Sequence, residues 1–335
     1  MDRGRDDGVR GMADGSTGAD FGQAAPAARV KAAARVKAHA GISARNPDAH
    51  STPGRARRLA GGLFALTMAA GLPLQAAAQF SADSAESRVV LELYTAQGCA
   101  ACPPADAMLA ELAGREDVIA LALHVDYWDY MGWTDTFGQA SHTRRQTRYA
   151  RRHGASTIYT PQVVINGTQI VEGFRTAEVM EALATHGAQP SLISLSLERR
   201  GAEDAGAEDA GGEAADRLHI TLRLAEEPPS PLALAARAAT NGTGLMGLLE
   251  GAPDAPPARL HLVRYVPQVS VDIHDGENAG RRGAFHNVVT EWTHIGDWDM
   301  VAPLEMSVAI EGSDPAVVIL QEAGQGSILG AARLR

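Results

Sequence analysis

The sequence contains little cysteine and little positive charge. Its 335 residues include two cysteines, and 40 acidic residues outnumber 30 Lys and Arg, which gives a formal net charge of −10. Two cysteines are too few for a disulfide framework or for a zinc site built from four cysteines. The acidic balance argues against a nucleic-acid partner, because binding to phosphates needs clustered Lys and Arg.

Long apolar runs are also missing. The best candidate, residues 59–74, is short of the ~20 apolar residues that a membrane-spanning helix needs and is interrupted by Gly and Pro. It follows a basic stretch and precedes small residues that end at Ala78, so residues 55–78 are typical of a signal peptide. We expect cleavage after Ala78, no membrane anchor afterwards and a periplasmic or secreted protein. Residues 1–54 are predicted to be disordered, or to result from a misplaced start codon.

The two cysteines form a single motif, Cys99-Ala100-Ala101-Cys102, between an apolar strand-like run and a helix-like segment. At this spacing one thiolate attacks a disulfide and the second thiol resolves the mixed intermediate. We expect Cys99, nearer the strand, to be the more exposed thiol and the attacking nucleophile, and Cys102 to be the resolving thiol. The dithiol is itself a redox centre, so no dissociable cofactor is expected.

Residues 88–189 alternate between strand and helix patterns, which predicts an α/β domain. Asn166-Gly167 between two apolar runs indicates a two-residue hairpin turn. The predicted strands are 89–94, 118–125, 163–165 and 169–171, and the predicted helices are 105–113, 139–153 and 176–186.

Residues 190–335 change to short alternating strands and predict a β-rich second domain, either an antiparallel sandwich or a sheet packed on the first domain. Residues 201–216 repeat Ala-Glu-Asp-Ala-Gly without a large apolar side chain, so we expect a flexible acidic loop. The predicted strands are 192–197, 218–224, 232–238, 259–266, 269–273, 288–293, 304–310 and 317–321.

Several polar residues near the motif could carry protons. Glu92 lies in an otherwise apolar strand, so it takes a proton from Cys102, pairs with an arginine or faces water at the strand end. Asp106 follows Cys102 by one helical turn, but an acidic residue there is more often favourable to the helix dipole. His124 is interpreted as a core histidine rather than a catalytic one.

An aromatic loop at residues 127–133 offers a surface for an unfolded or peptide substrate, with Tyr127, Trp128 and Trp133 as the predicted contacts. Packing between the two domains would explain the same residues. The helix at residues 139–153 carries five arginines in an acidic protein. We expect this helix to dock on the acidic second domain rather than to bind an anionic ligand.

Three segments together resemble a bacterial secreted family known as domain of unknown function 1223. They are residues 89–106 around the dithiol, residues 124–133, and Tyr159-Thr160-Pro161-Gln162. The resemblance implies a thioredoxin-like fold. In that fold a cis-proline loop, here Thr160-Pro161, faces the dithiol and offers its backbone to the bound peptide. Pro103 and Pro104 depart from the thioredoxin pattern and are expected to hold Cys102 in an extended conformation and delay the helix.

These observations favour a thiol-disulfide oxidoreductase that acts on protein or peptide thiols, with an unknown redox partner. One alternative is a binding module with the same fold, in which the two cysteines form a permanent structural disulfide. The other is a copper(I) carrier that uses Cys99, Cys102 and His124, because thiolates suit this soft ion.

Overall fold

The computed structural model describes residues 81–83, 88–201, 216–225 and 257–334, with residues 81–83 described as backbone. The predicted N-terminal extension, the predicted signal peptide and the predicted strand at 232–238 lie outside these ranges. The same holds for almost all of the predicted acidic loop.

The first half of the described chain alternates strands and helices, as the sequence predicts. Val89–Thr95 and Val118–His124 are buried along their whole length, which is typical of strands covered on both faces. The elements are β1 Ser81–Asp83, β2 Val89–Thr95, α1 Pro103–Leu112, β3 Val118–His124, α2 Ala140–Arg152, β4 Gln162–Ile165, β5 Gln169–Glu172 and α3 Thr176–Gly187.

The second half consists of strands, two of them long. The predicted strands 259–266 and 269–273 form one strand that continues across Pro267, so the proline does not end the strand as expected. The last strand was not predicted, because Gly330 and two alanines give it a weak strand pattern. The elements are β6 Ile193–Arg200, β7 Arg217–Leu224, β8 Ala258–Asp272, β9 Arg282–Trp298, β10 Leu304–Ala309, β11 Ala316–Gln321 and β12 Ile328–Leu334.

These strands form a mixed eight-stranded sheet and a small antiparallel sheet. The large sheet has the order β12-β11-β8-β9-β3-β2-β4-β5, and the small one β1-β6-β7-β10. β9 joins β3 through the parallel pair Ala122 and Val288, so C-terminal strands extend the sheet begun by the N-terminal strands. This differs from the expected separate second domain, because β9 covers an edge of β3 that would otherwise leave backbone groups unpaired.

Alternate residues of β2 pack in two different hydrophobic cores. Leu91 and Leu93 pack with α1 and α3 on one face of the sheet, whereas Val90 and Tyr94 pack on the other face with Tyr149 of α2 and with both cysteines. A third core lies between the small sheet and strands β8, β11 and β12. No helix in the described ranges is both long and apolar enough to cross a membrane.

Candidate functional site

The two cysteines form a disulfide in the loop between β2 and α1. Their sulfur atoms are 2.09 Å apart and their Cα atoms are 5.4 Å apart. The loop is held by its own backbone, since the Cys99 amide donates to the Ala96 carbonyl at 3.1 Å and the Cys102 amide donates to the Cys99 carbonyl at 3.2 Å. The sequence motif is therefore a closed disulfide at the carboxyl end of a buried strand.

Both cysteines are buried, so the expectation that Cys99 is the more exposed thiol is wrong. Cys99 is 1% exposed and Cys102 is 0% exposed, whereas the two alanines between them are exposed. The cause is packing: both cysteines belong to a core cluster, and Tyr127 and Trp128 pack against that cluster. The sulfur atoms are therefore closed off from solvent in this conformation.

The expectation about Pro103 and Pro104 is also wrong in its geometry. Cys102 is helical, with φ −78° and ψ −33°, and α1 begins at Pro103. The Cys102 carbonyl accepts from the amides of Ala105 and Asp106 at 2.9 and 3.0 Å, which places Cys102 at the helix start. The prolines still weaken the effect of the helix on a thiolate, because neither has an N–H to donate.

The loop that carries Thr160 and Pro161 lies beside the dithiol loop. The Thr160–Pro161 peptide bond is cis. The Trp128 Nε1–H donates to Thr160 Oγ1 at 2.7 Å, and a Cβ on Gly98, next to Cys99, would lie 3.6 Å from Trp128 Cβ. Trp128 therefore bridges the two loops.

Gly173 explains how Pro161 approaches α1 closely. A Cβ at Gly173 would lie 2.7 Å from Pro161 Cβ and 3.2 Å from Ala105 Cβ, which is too close for a side chain. The Gly173 amide also donates to the Pro161 carbonyl at 2.9 Å. The sequence pattern does not single out Gly173, because a single glycine after a strand has many explanations.

The three predicted substrate-binding aromatics are half-buried and have partners within the protein. Trp133 Nε1–H donates to Gln97 Oε1 at 2.7 Å, so Trp133 braces the dithiol loop. The Tyr127 hydroxyl donates to Gln146 at 3.3 Å, and burial raises the pKa of Tyr127 to about 12. The more exposed aromatics near Pro161 are Tyr159 and Phe174, which are 39% and 58% exposed and were not predicted.

Glu92 has the arginine partner that the sequence analysis held open. Its carboxylate accepts from Arg145 Nε at 2.7 Å and from Arg145 Nη2 at 2.8 Å. The hydroxyls of Tyr94 and Tyr149 donate to the same carboxylate at 2.9 and 2.7 Å. With four donors on its two oxygens, Glu92 is part of a buried ion pair, and the geometry gives no support to its predicted role as a proton carrier for Cys102.

Asp106 is the carboxylate with the environment expected of a proton carrier. Burial raises its pKa from 3.8 to about 6, although the charge of His124 and the hydrogen bond from Thr95 Oγ1 act in the opposite direction. Asp106 lies one helical turn after Cys102 and lines a cavity of about 360 Å³ together with Pro103. The interpretation of Asp106 as a residue that only favours the helix dipole therefore does not account for its raised pKa.

His124 is buried and bonded to Asp135, whose carboxylate accepts from the Gln97 amide as well. This matches the interpretation of His124 as a core histidine. Within the described ranges, no three His, Cys, Asp or Glu side chains are grouped so that they could hold a metal ion.

Asn278, in the turn between β8 and β9, braces the dithiol loop from the second half of the chain. Its side-chain amide donates to the Gln97 carbonyl and to the Cys99 carbonyl, both at 2.9 Å. Asn278 is buried, and 179 residues separate it from Cys99 in sequence. Sequence spacing gave no signal for this contact, because it depends on how β9 joins the sheet.

Replacing Asn278 with Ala should lower the free energy of unfolding by about 1–3 kcal/mol, because two buried carbonyls lose their donor. Urea unfolding monitored by circular dichroism measures this loss. The matched control is Glu277→Ala, since Glu277 is the exposed neighbour in the same turn. Equal stability of the Asn278→Ala variant and the unchanged protein would show that the two bonds do not brace the loop.

The geometry defines a mixed α/β protein with a buried disulfide where its first long strand meets a helix. The sequence matches the model of a family described as protein of unknown function (DUF1223) over residues 90–226 and 205–321, and the chain belongs to that family. A crystal structure of a protein from Agrobacterium tumefaciens is similar, with 24% sequence identity, coverage of 74% of this chain and 94% of that chain, and a TM-score of 0.52. This likeness concerns the fold alone. Among curated proteins, none matches the sequence.

Proposed function

We propose that the protein is an exported thiol-disulfide oxidoreductase that exchanges disulfides with protein or peptide thiols through Cys99 and Cys102. One observation carries the proposal: the disulfide lies at the start of α1, and Trp128 connects its loop to the Thr160–Pro161 loop. The order β3-β2-β4-β5, with helices on both faces, supports a thioredoxin-like assignment for this part of the sheet. Export rests on the signal-peptide pattern and supplies an environment in which disulfides persist.

The exchange transfers two electrons from the substrate to the disulfide. A substrate thiolate attacks Cys99 Sγ, the bond between Cys99 and Cys102 breaks, and Cys102 leaves as a thiolate that takes up a solvent proton passed on by Asp106. A second substrate thiolate then attacks the substrate sulfur of the mixed disulfide, and Cys99 leaves as a thiolate. The substrate gains a disulfide, and a separate redox partner reoxidises the pair.

Access to Cys99 requires Trp128 to move, because Trp128 packs against the core cluster that contains both cysteines. A peptide that approaches Thr160 competes for the hydroxyl that Trp128 binds. The exposed rings of Tyr159 and Phe174 flank this loop and offer apolar contacts to the peptide. Backbone bonds to the Thr160 segment would be largely independent of peptide sequence, so we expect a broad substrate range.

Reduced protein carrying Cys102→Ser should form a stable mixed disulfide with a short peptide that contains one disulfide. Cys99 attacks the peptide, and no resolving thiol remains to release it. The Cys99→Ser variant should form at least about tenfold less mixed disulfide, because the attacking thiol is gone. Intact-protein mass spectrometry after acid quenching measures both products.

The control is Ala101→Ser, which changes an exposed residue between the cysteines and keeps both thiols. This variant should release the peptide and accumulate no mixed disulfide. Equal trapping by the two cysteine variants would contradict the assignment of Cys99 as nucleophile. Absence of trapping in both would contradict the oxidoreductase.

The burial of both cysteines favours a second candidate function, a binding module with a structural disulfide. The reduction potential of the pair separates the two candidates. Structural disulfides lie below about −300 mV, whereas exchanging pairs have higher values. Equilibration with glutathione or dithiothreitol buffers measures this potential, and a value above that limit supports the oxidoreductase.

A further inference from the structure

A second cavity, of about 360 Å³, lies between α2, strands β8 and β9, and the turn that joins β11 to β12. Neither cysteine lines it, nor does any residue of the Thr160–Pro161 loop. Its volume is within the range of ~300–1,000 Å³ that small-molecule sites occupy. Its walls include the basic, aromatic and amide side chains of Arg148, Arg259, His261, Trp292 and Gln325.

The cavity has an excess of positive charge in an acidic protein. Arg145 in its wall is matched by Glu92, but Arg148 and Arg259 are exposed and bring two further cations. Burial and the charge of Arg145 lower the pKa of Arg148, so the cations there repel one another. Glu322 is the carboxylate in the lining, and it lies 3.7 Å from Arg152.

Two side chains in the walls have donor nitrogens that no described residue satisfies. Trp292 Nε1 and Gln325 Nε2 are buried without a hydrogen-bond partner within the described ranges, and Gln325 is 7% exposed. Gln325 is oriented, because its Oε1 accepts from Arg148 Nε at 2.8 Å. Because a buried donor without a partner is unfavourable, an acceptor oxygen at this place is favourable.

Two histidines in the walls, His142 and His261, are neutral. Burial lowers the pKa of His261 to about 3 and that of His142 to about 4. His261 Nδ1 has no partner within the described ranges and can donate in one tautomer. His142 Nδ1 donates to the His124 carbonyl at 2.9 Å, so its other nitrogen is an acceptor and does not attract an anion.

We propose that this cavity binds a small oxyanion, a carboxylate or a phosphate that presents two or more acceptor oxygens. The guanidinium groups of Arg148 and Arg259 supply charge and forked donors, which suit a carboxylate or a phosphate group. Trp292 Nε1–H and Gln325 Nε2–H supply the neutral donors. The inference concerns a site separate from the dithiol, so it stands whether or not the protein exchanges disulfides.

Isothermal titration of the full chain with succinate, with inorganic phosphate and with neutral succinamide tests the proposal. Saturable binding of at least one anion at one site is expected, with no heat from succinamide. Tighter binding of succinate identifies a carboxylate ligand, and tighter binding of phosphate identifies a phosphate group. The variant Arg259→Gln should bind at least about tenfold more weakly, and Trp292→Phe, which keeps a ring and loses the N–H, should bind severalfold more weakly.

The matched control is Arg144→Gln, because Arg144 is an exposed arginine of α2 that does not line the cavity. It should bind the anion as the unchanged protein does. Circular dichroism and thermal unfolding establish that each variant is folded. The proposal is overturned if neither anion binds saturably up to tens of millimolar, if Arg259→Gln binds with unchanged affinity, or if Arg144→Gln loses as much affinity as Arg259→Gln.

Discussion

Replacing Arg145 with Met is expected to destabilise the folded protein by about 3–5 kcal/mol, because it leaves the Glu92 carboxylate buried without its counter-charge. Glu92 is fully buried, and Arg145 binds both of its oxygens. Removing one member of a buried ion pair lowers the free energy of unfolding by far more than the intact pair contributes to it, since the remaining charge is buried away from water.

The other contacts of Arg145 increase the expected loss of stability. Arg145 Nη2 also donates to Tyr149 Oη at 2.9 Å and to Gln321 Oε1 at 3.1 Å, and its guanidinium lies 3.7 Å from the centre of the Trp292 ring. Burial lowers the pKa of Arg145, but Glu92, Tyr149 and Tyr94 together outweigh burial and raise this pKa above its usual value. Arg145 thus ties α2 to β2 and to β11.

Urea unfolding at neutral pH, monitored by circular dichroism, measures the loss. A double variant, Glu92→Gln with Arg145→Met, removes both charges and should recover at least half of it. The exposed neighbour gives the control, since Arg144→Met should change stability by less than about 0.5 kcal/mol. Additive losses in the double variant would show that the two side chains do not stabilise each other.

Sequence patterns predicted those features of the fold that depend on residues close together in the sequence. The dithiol between a strand and a helix, the helix bounds to within one or two residues, and the hairpin at Asn166-Gly167 all follow from local chemistry. The hairpin turn itself differs from the predicted two-residue turn, because Ile165 pairs with Gln169 and the connection has three residues. Asn166 and Gly167 both have positive φ, which explains why this dipeptide indicates a turn.

Contacts between distant segments could not be predicted. Glu92 and Arg145 are 53 residues apart, and five arginines on one helix gave no reason to select Arg145. The pairing of β9 with β3 depends on a free strand edge, which single-sequence patterns do not reveal. Tyr127 and Trp128 pack against the core cluster that contains Cys99, whereas the sequence was equally consistent with an open peptide surface formed by these two residues.

Replacing Asp106 with Asn is expected to stabilise the protein at neutral pH. Burial raises the pKa of Asp106 from 3.8 in the unfolded chain to about 6 in the folded protein, so the folded state holds this proton more tightly. Stability therefore falls as the pH rises from 3.8 to about 6. One pKa unit corresponds to about 1.4 kcal/mol, so the ionised carboxylate costs about 3 kcal/mol at pH 7.5, and Asn avoids this cost.

Unfolding in urea at pH 3.5 and at pH 7.5 measures the effect. The Asp106→Asn variant and the unchanged protein should have similar stability at pH 3.5, and the variant should be more stable at pH 7.5. Its side-chain oxygen can still accept from Thr95 Oγ1. The control is Asp117→Asn: a hydrogen bond from Arg115 lowers the pKa of this exposed carboxylate, so its neutralisation should give no gain at pH 7.5.

The Asp106→Asn substitution should also slow disulfide exchange. This effect distinguishes a proton carrier from a buried acid that only lowers the stability of the fold. In the proposed exchange, the ionised Asp106 takes the proton from Cys102 at neutral pH as that thiol attacks the mixed disulfide and releases the bound peptide. Release of the peptide from its mixed disulfide with Cys99 should therefore become slower below about pH 6 in the unchanged protein. The Asp106→Asn variant should release peptide at least about tenfold more slowly at pH 7.5 and lack the step near pH 6. A variant that is more stable yet releases peptide at the original rate would show that Asp106 does not carry the proton.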